Sequence, residues 1–411
     1  MTKAIKNNTK DFIWNAIGLS LNAFNSFFFL LAVRFINGLD TAGIFTYAFA
    51  VGVFLYAFVL YYNRSYQVSD INNNYTTNDY LTGRVFTSAL SIFITAILCI
   101  VSHFSIFETI VIFLILLFRI IEAISDCFYG AIQKKNQLYK TGISLSIKAI
   151  FGLLSFIVID YLTSNLHLAL LTLILVNILF LFSYDIPNYH KLYQAKIKLS
   201  LKKTKKLIKS ALPIVIFSTL AIYLSNCQKY ILPYYESDEV QAIFGMIIMP
   251  ATILSLIGSY LINPFINIFT EQHIHKNYSS FINSTKRLLA GMSSIGLIAL
   301  LCCYLFGVQI LGFIFNLDLS TYQIPLTLVI LASIFYASTM ILSSLLTILN
   351  DNRRQTYAYF MAAIVATISS IILIPTFSIG GAVNSFLLSS AVLLIIYIYL
   401  LQTKIREVNH V

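Results

Sequence analysis

Four residues between positions 119 and 148 carry the most unusual chemistry of the chain: Arg119, Glu122, Asp126 and Lys148. The first three fall at i, i+3 and i+7, a spacing that sets ionisable groups along one helix face. Lys148 belongs to the next apolar run, RIIEAISDCFYGAIQKK and KTGISLSIKAIFGLL being separated by a short polar turn. Arg119 lies 11 residues before Gly130 and Lys148 lies 9 after Tyr139, so at 1.5 Å per residue both stand about 15 Å along their helices from that turn. A charge at the centre of a bilayer costs roughly 2.5–3.5 kcal/mol on insertion scales, so such residues face a bundle interior or a wet cavity. Two cations at one depth on neighbouring helices repel each other unless anions intervene, and a diphosphate is one such anion. Two alternatives stand beside this. Glu122 can neutralise Arg119 internally and leave Lys148 spare, or Glu122 and Asp126 can carry protons or sodium for coupled transport.

Arg34 and Lys229 are the other cations inside apolar runs, nearer their far ends, where snorkelling to an interface competes with a cavity role. Four intramembrane cations thus face two anions. Asn22, Asn25, Asn263 and Asn267 are expected to bond between helices rather than to a ligand. No Gly-rich phosphate loop, metal-ligand cluster or Ser/His/Asp arrangement is present, so no catalytic residue, metal or cofactor is expected. Cys99, Cys127, Cys227, Cys302 and Cys303 all fall inside apolar runs and read as small buried hydrophobes.

Elements able to place charges at mid-membrane must be long apolar helices, and the composition supplies them. Of 411 residues, 58% are hydrophobic and 10% charged, against about 25% charged in soluble domains. The net charge of +11 is no nucleic-acid signal, because the cations sit in short loops between apolar runs. Twelve runs reach spanning length: 12–36, 41–62, 82–104, 107–129, 140–160, 165–187, 208–232, 240–269, 282–306, 324–349, 357–375 and 379–401. They are continuous rather than alternating, which excludes a membrane β-barrel. Pro250 and Pro264 predict a kink or break in the eighth span. With the N-terminus inside, 23 of 27 Lys and Arg fall in inner segments and helix ends, and both termini are cytoplasmic. The expected organisation is a six-helix lobe over 1–187, a basic cytoplasmic linker over 188–207, and a second six-helix lobe over 208–411 with a short tail. AVRFINGLDTAGIF and CQKYILPYYESDEVQAIF match loosely, placing Arg34 and Lys229 at equivalent positions of a pseudo-two-fold repeat.

Several stretches carry a resemblance. RIIEAISDCFYGAIQKK (119–135) resembles the fourth-helix signature of oligosaccharide-lipid flippases of the MOP (multidrug/oligosaccharidyl-lipid/polysaccharide) superfamily. RSYQVSD (64–70) resembles the turn after their second helix. SNCQKYILPYYESDEVQAIFGMIIMPATI (225–253) resembles the seventh and eighth helices of the capsule and exopolysaccharide branch, with Gln228 where that branch often has Pro. The resemblance implies an all-α, MATE-like (multidrug and toxin extrusion) fold of two six-helix lobes around a cation-lined cavity, in a Wzx-like polysaccharide flippase. It implies transfer of undecaprenyl-diphosphate-linked repeat units from inner to outer leaflet by alternating access, for capsule, exopolysaccharide or O-antigen assembly. Arg119, Lys148, Arg34 and Lys229 then bind substrate, Glu122 and Asp126 tune or couple, and Arg64 and Asp70 belong to an inner gate. A bacterial cytoplasmic membrane is the implied setting, with lipid-linked glycan, bilayer and the polysaccharide polymerase and chain-length machinery as partners and proton or sodium as coupling ion. A multidrug exporter on the same fold is the first rival. A membrane polysaccharide polymerase, which uses larger outer loops, is the second.

Overall fold

The computed structural model describes residues 2–61, 64–70, 74–194, 198–199 and 201–409, and helices account for nearly all of them. The chain order is α1 (Thr2–Asn37), α2 (Leu39–Leu60), α3 (Arg64–Ser69), α4 (Thr77–Val101), α5 (Ile106–Lys134), α6 (Leu138–Thr163), α7 (Leu166–Phe180) and α8 (Ile186–Tyr193). It continues with α9 (Leu201–Ile231), α10 (Asp238–Ile247), α11 (Met249–Ile262), α12 (Ile266–Ile274), α13 (Tyr278–Phe315), α14 (Gln323–Ile348) and α15 (Asn352–Asn409).

Among the described residues, ten helical stretches are long and apolar enough to cross a membrane by themselves. The other two spans are recovered from physical detail. α5 carries Arg119, Glu122 and Asp126 in its middle and so fails a simple apolarity test, although it is 29 residues long. α15 is two spans in one, broken at Ser378, where φ is 50°. Pro375 weakens the helix just before that break, and at Gly381 any Cβ would collide with the Leu373 carbonyl. The protein is therefore a multi-pass, all-α membrane protein of twelve spans. The eighth is interrupted as Pro250 and Pro264 predict: α10 ends at Ile247, Pro250 opens α11, and Asn263–Phe265 forms a 3-10 turn before α12.

Polar residues at the loops set where the helices begin. Thr76 accepts from the Asp79 N–H while the Asp79 carboxylate accepts from Thr76, and Ser105 with Glu108 repeats this reciprocal cap at α5. Gly38, at φ 95°, makes the tight turn from α1 into α2, a conformation that favours glycine. Arg34 and Lys229 each lie in the last turn of a helix, α1 and α9, where a cation complements the carbonyl end of the dipole.

Contacts divide the chain into two compact units, Met1–Thr219 and Leu220–Val411. The basic segment expected as a linker over 188–207 is largely helical at its two ends, since α8 runs to Tyr193 and α9 begins at Leu201. In the first unit α5 is the hub, packing against α2, α4, α7 and the short α3, while α1 packs along α6. In the second unit α14 holds that place, between α11, α13 and α15. Cys99, Cys127 and Cys227 are buried as expected, but Cys302 is exposed on α13.

Candidate functional site

The charges of the first unit gather around α5. Glu122, Ser125, Asp126 and Tyr129 project from one side of it, as their i, i+3, i+4, i+7 spacing dictates. Opposite stands Lys148 on α6, with Arg64 at the start of α3. Together with Asn22 and Asn25 of α1 these groups line a small cavity of about 130 Å³. Asn25 also donates to the Ala149 carbonyl, a helix-to-helix bond of the kind expected for it. Asn263 and Asn267 are exposed on the second unit.

Neither Arg119 nor Lys148 is an unpaired cation, which corrects the charge count of four against two. Arg119 Nη1 binds the Glu122 carboxylate at 2.6 Å, the internal pairing that the i, i+3 spacing allows. Its guanidinium is boxed by the rings of Phe49, Tyr56 and Phe118, with centroids 4.6 to 5.6 Å away, so it stands behind the cavity wall. Lys148 Nζ donates to Asp185 Oδ2 at 2.5 Å and to Ser125 Oγ at 2.6 Å. Asp185 is fully buried and also accepts from Ser144 Oγ at 2.6 Å, and Ser144 in turn meets the Tyr129 hydroxyl at 2.8 Å.

Sequence reasoning missed Asp185. It lies at the edge of the expected sixth span, two residues before Pro187, and in the structure it ends a five-residue π-helical segment, Leu181–Asp185. The extra residue of a π-turn re-aims a side chain that an ideal helix would place elsewhere. The available signal was an acidic residue next to a helix-interrupting proline within an apolar run.

Arg84 was missed in a different way, having been assigned to an inner helix end. It lies two turns into α4, its side chain fully buried, and its Nη2 binds Asp126 Oδ2 at 3.1 Å. The other carboxylate oxygen, Oδ1, accepts from Arg64 Nε at 2.9 Å and lies 2.8 Å from Arg64 Nη2. Asp126 is thus shared by two arginines from two elements. By formal charge Arg64, Arg84, Arg119 and Lys148 oppose Glu122, Asp126 and Asp185, leaving one net positive charge around the cavity.

The remaining expected residues lie elsewhere. Arg64 does not pair with Asp70, its expected companion in an inner gate. The Asp70 carboxylate instead accepts from the backbone N–H groups of Asn74 and Tyr75 at 2.9 and 3.0 Å, and its carbonyl accepts from Lys134 Nζ at 2.7 Å. Burial opposes the charge on Asp70, but these N–H groups and the Lys134 ammonium outweigh it and hold the carboxyl below the usual carboxylate range. Arg34 sits at the far end of α1 with its buried Nε unpartnered. Lys229 belongs to the second unit, and among the described residues it has no carboxylate partner. Among the described residues no group of three or more metal-ligating side chains converges.

Comparisons with known proteins fit this architecture. No family model matches the chain. The capsular polysaccharide biosynthesis protein CapF of Staphylococcus aureus is 23% identical over 392 residues, covering 95% of this chain and 98% of CapF. Among solved structures, the lipid II flippase MurJ in an inward closed conformation superposes with a TM-score of 0.63 at 14% identity, over 98% of this chain and 90% of MurJ. A MATE transporter in the bent conformation gives 0.60 at 12% identity, over 98% and 96% of the two chains. The chain therefore shares the fold of the MATE transporters and of the lipid II flippase MurJ, and over nearly its whole length it is similar to a capsular polysaccharide biosynthesis protein.

Proposed function

We propose that the protein is a flippase for polyprenyl-diphosphate-linked oligosaccharides, moving the glycan headgroup across a bacterial cytoplasmic membrane for capsule or related polysaccharide assembly. The observation that carries this reading is the charged cavity inside the first unit, where Arg64 and Lys148 line the wall beside Glu122 and Asp126 and buried pairs behind it leave one net positive charge. A diphosphate headgroup needs fixed positive charge in a low-dielectric setting, the sugars need hydrogen-bonding walls, and the polyprenyl tail can stay in lipid. Asn22, Asn25 and Tyr129 supply such walls. Alternating exposure of this cavity to the two membrane faces carries the headgroup across. Likeness to a capsule-assembly protein along nearly the whole chain supports the substrate class; the fold alone serves unrelated cargoes. A drug exporter is disfavoured by charge, because cationic drugs call for net negative walls and these carry as many cations as carboxylates. Glu122 and Asp126 make proton or sodium coupling the companion proposal, and both termini are placed on the cytoplasmic side by the positive-inside pattern.

The test is reconstitution of the purified protein in liposomes with a fluorescent undecaprenyl-diphosphate oligosaccharide, beside a cationic dye. Movement of the glycan lipid without movement of the dye is expected. Dye export with no lipid movement would replace this reading with the exporter.

A further inference from the structure

The three carboxylates around the cavity differ in what happens when a cation leaves. Lys148 cannot leave Asp185 without stranding a carboxylate whose side chain is 1% exposed. Arg119 cannot turn from Glu122 without breaking out of its aromatic box and stranding a second carboxylate. Burying an unpaired charge is strongly unfavourable, so both pairs resist exchange. Asp126 is different, because it holds two arginines on separate oxygens. If Arg64 turns away, Arg84 still neutralises Asp126 from its buried position. Arg64 is also the most exposed cation of the set, at 21%, and it lines the cavity directly.

We infer that Arg64 is the cation that first engages the diphosphate of a lipid headgroup, by exchanging the Asp126 carboxylate for a phosphate oxygen, while Arg84 keeps Asp126 neutral. Asp126 occupies in the empty cavity the place the phosphate takes when substrate arrives, and it competes for Arg64 when the headgroup must leave. The exchange is a side-chain event. α3 remains docked on α5, because Gln67 Nε2 donates to the Cys127 carbonyl at 3.0 Å and Lys134 holds the Asp70 carbonyl. The guanidinium fork suits two-point binding of a phosphate as well as it suits the carboxylate. This assignment rests on the flippase reading for its substrate but has its own observable, the direction in which each substitution moves affinity.

Binding of farnesyl diphosphate and of inorganic pyrophosphate to the full chain in nanodiscs would be measured by calorimetry. Arg64→Gln should weaken farnesyl diphosphate binding by about tenfold or more, as loss of a charge-assisted contact does. Asp126→Asn should tighten it by several-fold, because the internal competitor is gone. Tightening is the decisive sign, since a purely structural Asp126 gives unchanged or weaker binding. The assignment is overturned if Asp126→Asn fails to tighten, if Arg64→Gln binds like the wild type, or if pyrophosphate binds and farnesyl diphosphate does not. Glycan-lipid movement in vesicles separates this from the wider reading: transport with no tightening in Asp126→Asn sinks the exchange alone, whereas tightening without transport sinks only the flippase reading.

Discussion

The two units are built around hub helices of opposite character. α5 carries Arg119, Glu122 and Asp126 in mid-helix and meets further charges from α3, α4 and α6. α14, the hub of the second unit, carries no charged residue at all. Its polar groups are hydroxyls, and Ser333, Ser338 and Thr339 bond carbonyls four residues back in the same helix, at 2.6 to 3.0 Å. Around it the second unit is tied by neutral hydrogen bonds, such as Ser369 and Ser370 to Ser385 at 2.7 and 2.8 Å and Ser343 to Gln355 at 2.6 Å. The same problem, joining helices in a bilayer, is solved by coupled ion pairs in one unit and by hydroxyls in the other. Hydroxyl bonds do that work at small cost, so the charges of the first unit are in excess of what packing needs. In the proposed function, that excess is what an anionic headgroup would meet.

The comparison can be broken by removing one polar group at a time. The largest effect is expected for Asp185→Ala, which strands the Lys148 ammonium and should lower stability by about 3–5 kcal/mol, read by denaturation in detergent. The double change Lys148→Met with Asp185→Leu should recover most of that loss. If the double variant is as unstable as the single one, the pair is a packing device and the contrast between units weakens. Arg84→Gln should cost less, about 1–3 kcal/mol, since Arg64 still holds Asp126. In α14, Ser333→Ala should change stability by no more than about 0.6 kcal/mol. A loss as large as that at Asp185 would erase the distinction.

Lys229→Met sharpens the comparison from the other side. With no carboxylate partner among the described residues, its replacement strands nothing, and stability should hold or rise. The smallest effect is at the turn after α3. Because the folded carboxyl of Asp70 is held below its unfolded value, its contribution is full at neutral pH and fades as pH falls through the acidic carboxylate range. Asp70→Asn should flatten that acid limb of the melting curve by lowering stability at neutral pH toward its acid value.

Much of this was legible in the sequence. Apolar run length gave the twelve spans, and the interruptions at Pro250 and Pro264 followed from proline chemistry. The shared face of Arg119, Glu122 and Asp126 followed from helical spacing. What was not legible was partner choice across helices. Lys148 looked spare because its carboxylate, Asp185, sits on a π-turn whose extra residue no periodicity announces. Arg84 looked like a helix-end cation because α4 starts at Thr77, five residues earlier than its apolar run suggests. Arg64 and Asp70 entered as gate residues through the resemblance of RSYQVSD, which says nothing of their partners: the turn between α3 and α4 engages Asp70, and Arg64 meets Asp126.

The central claim is that the ion-paired cavity of the first unit handles the headgroup. Its most direct test is the rate of glycan-lipid movement in vesicles for Arg64→Gln, beside wild type, at matched folding and insertion. The account predicts that the wild type moves the lipid and that Arg64→Gln moves it at a small fraction of that rate. Equal rates in the two proteins would contradict it, and would place headgroup recognition outside this cavity.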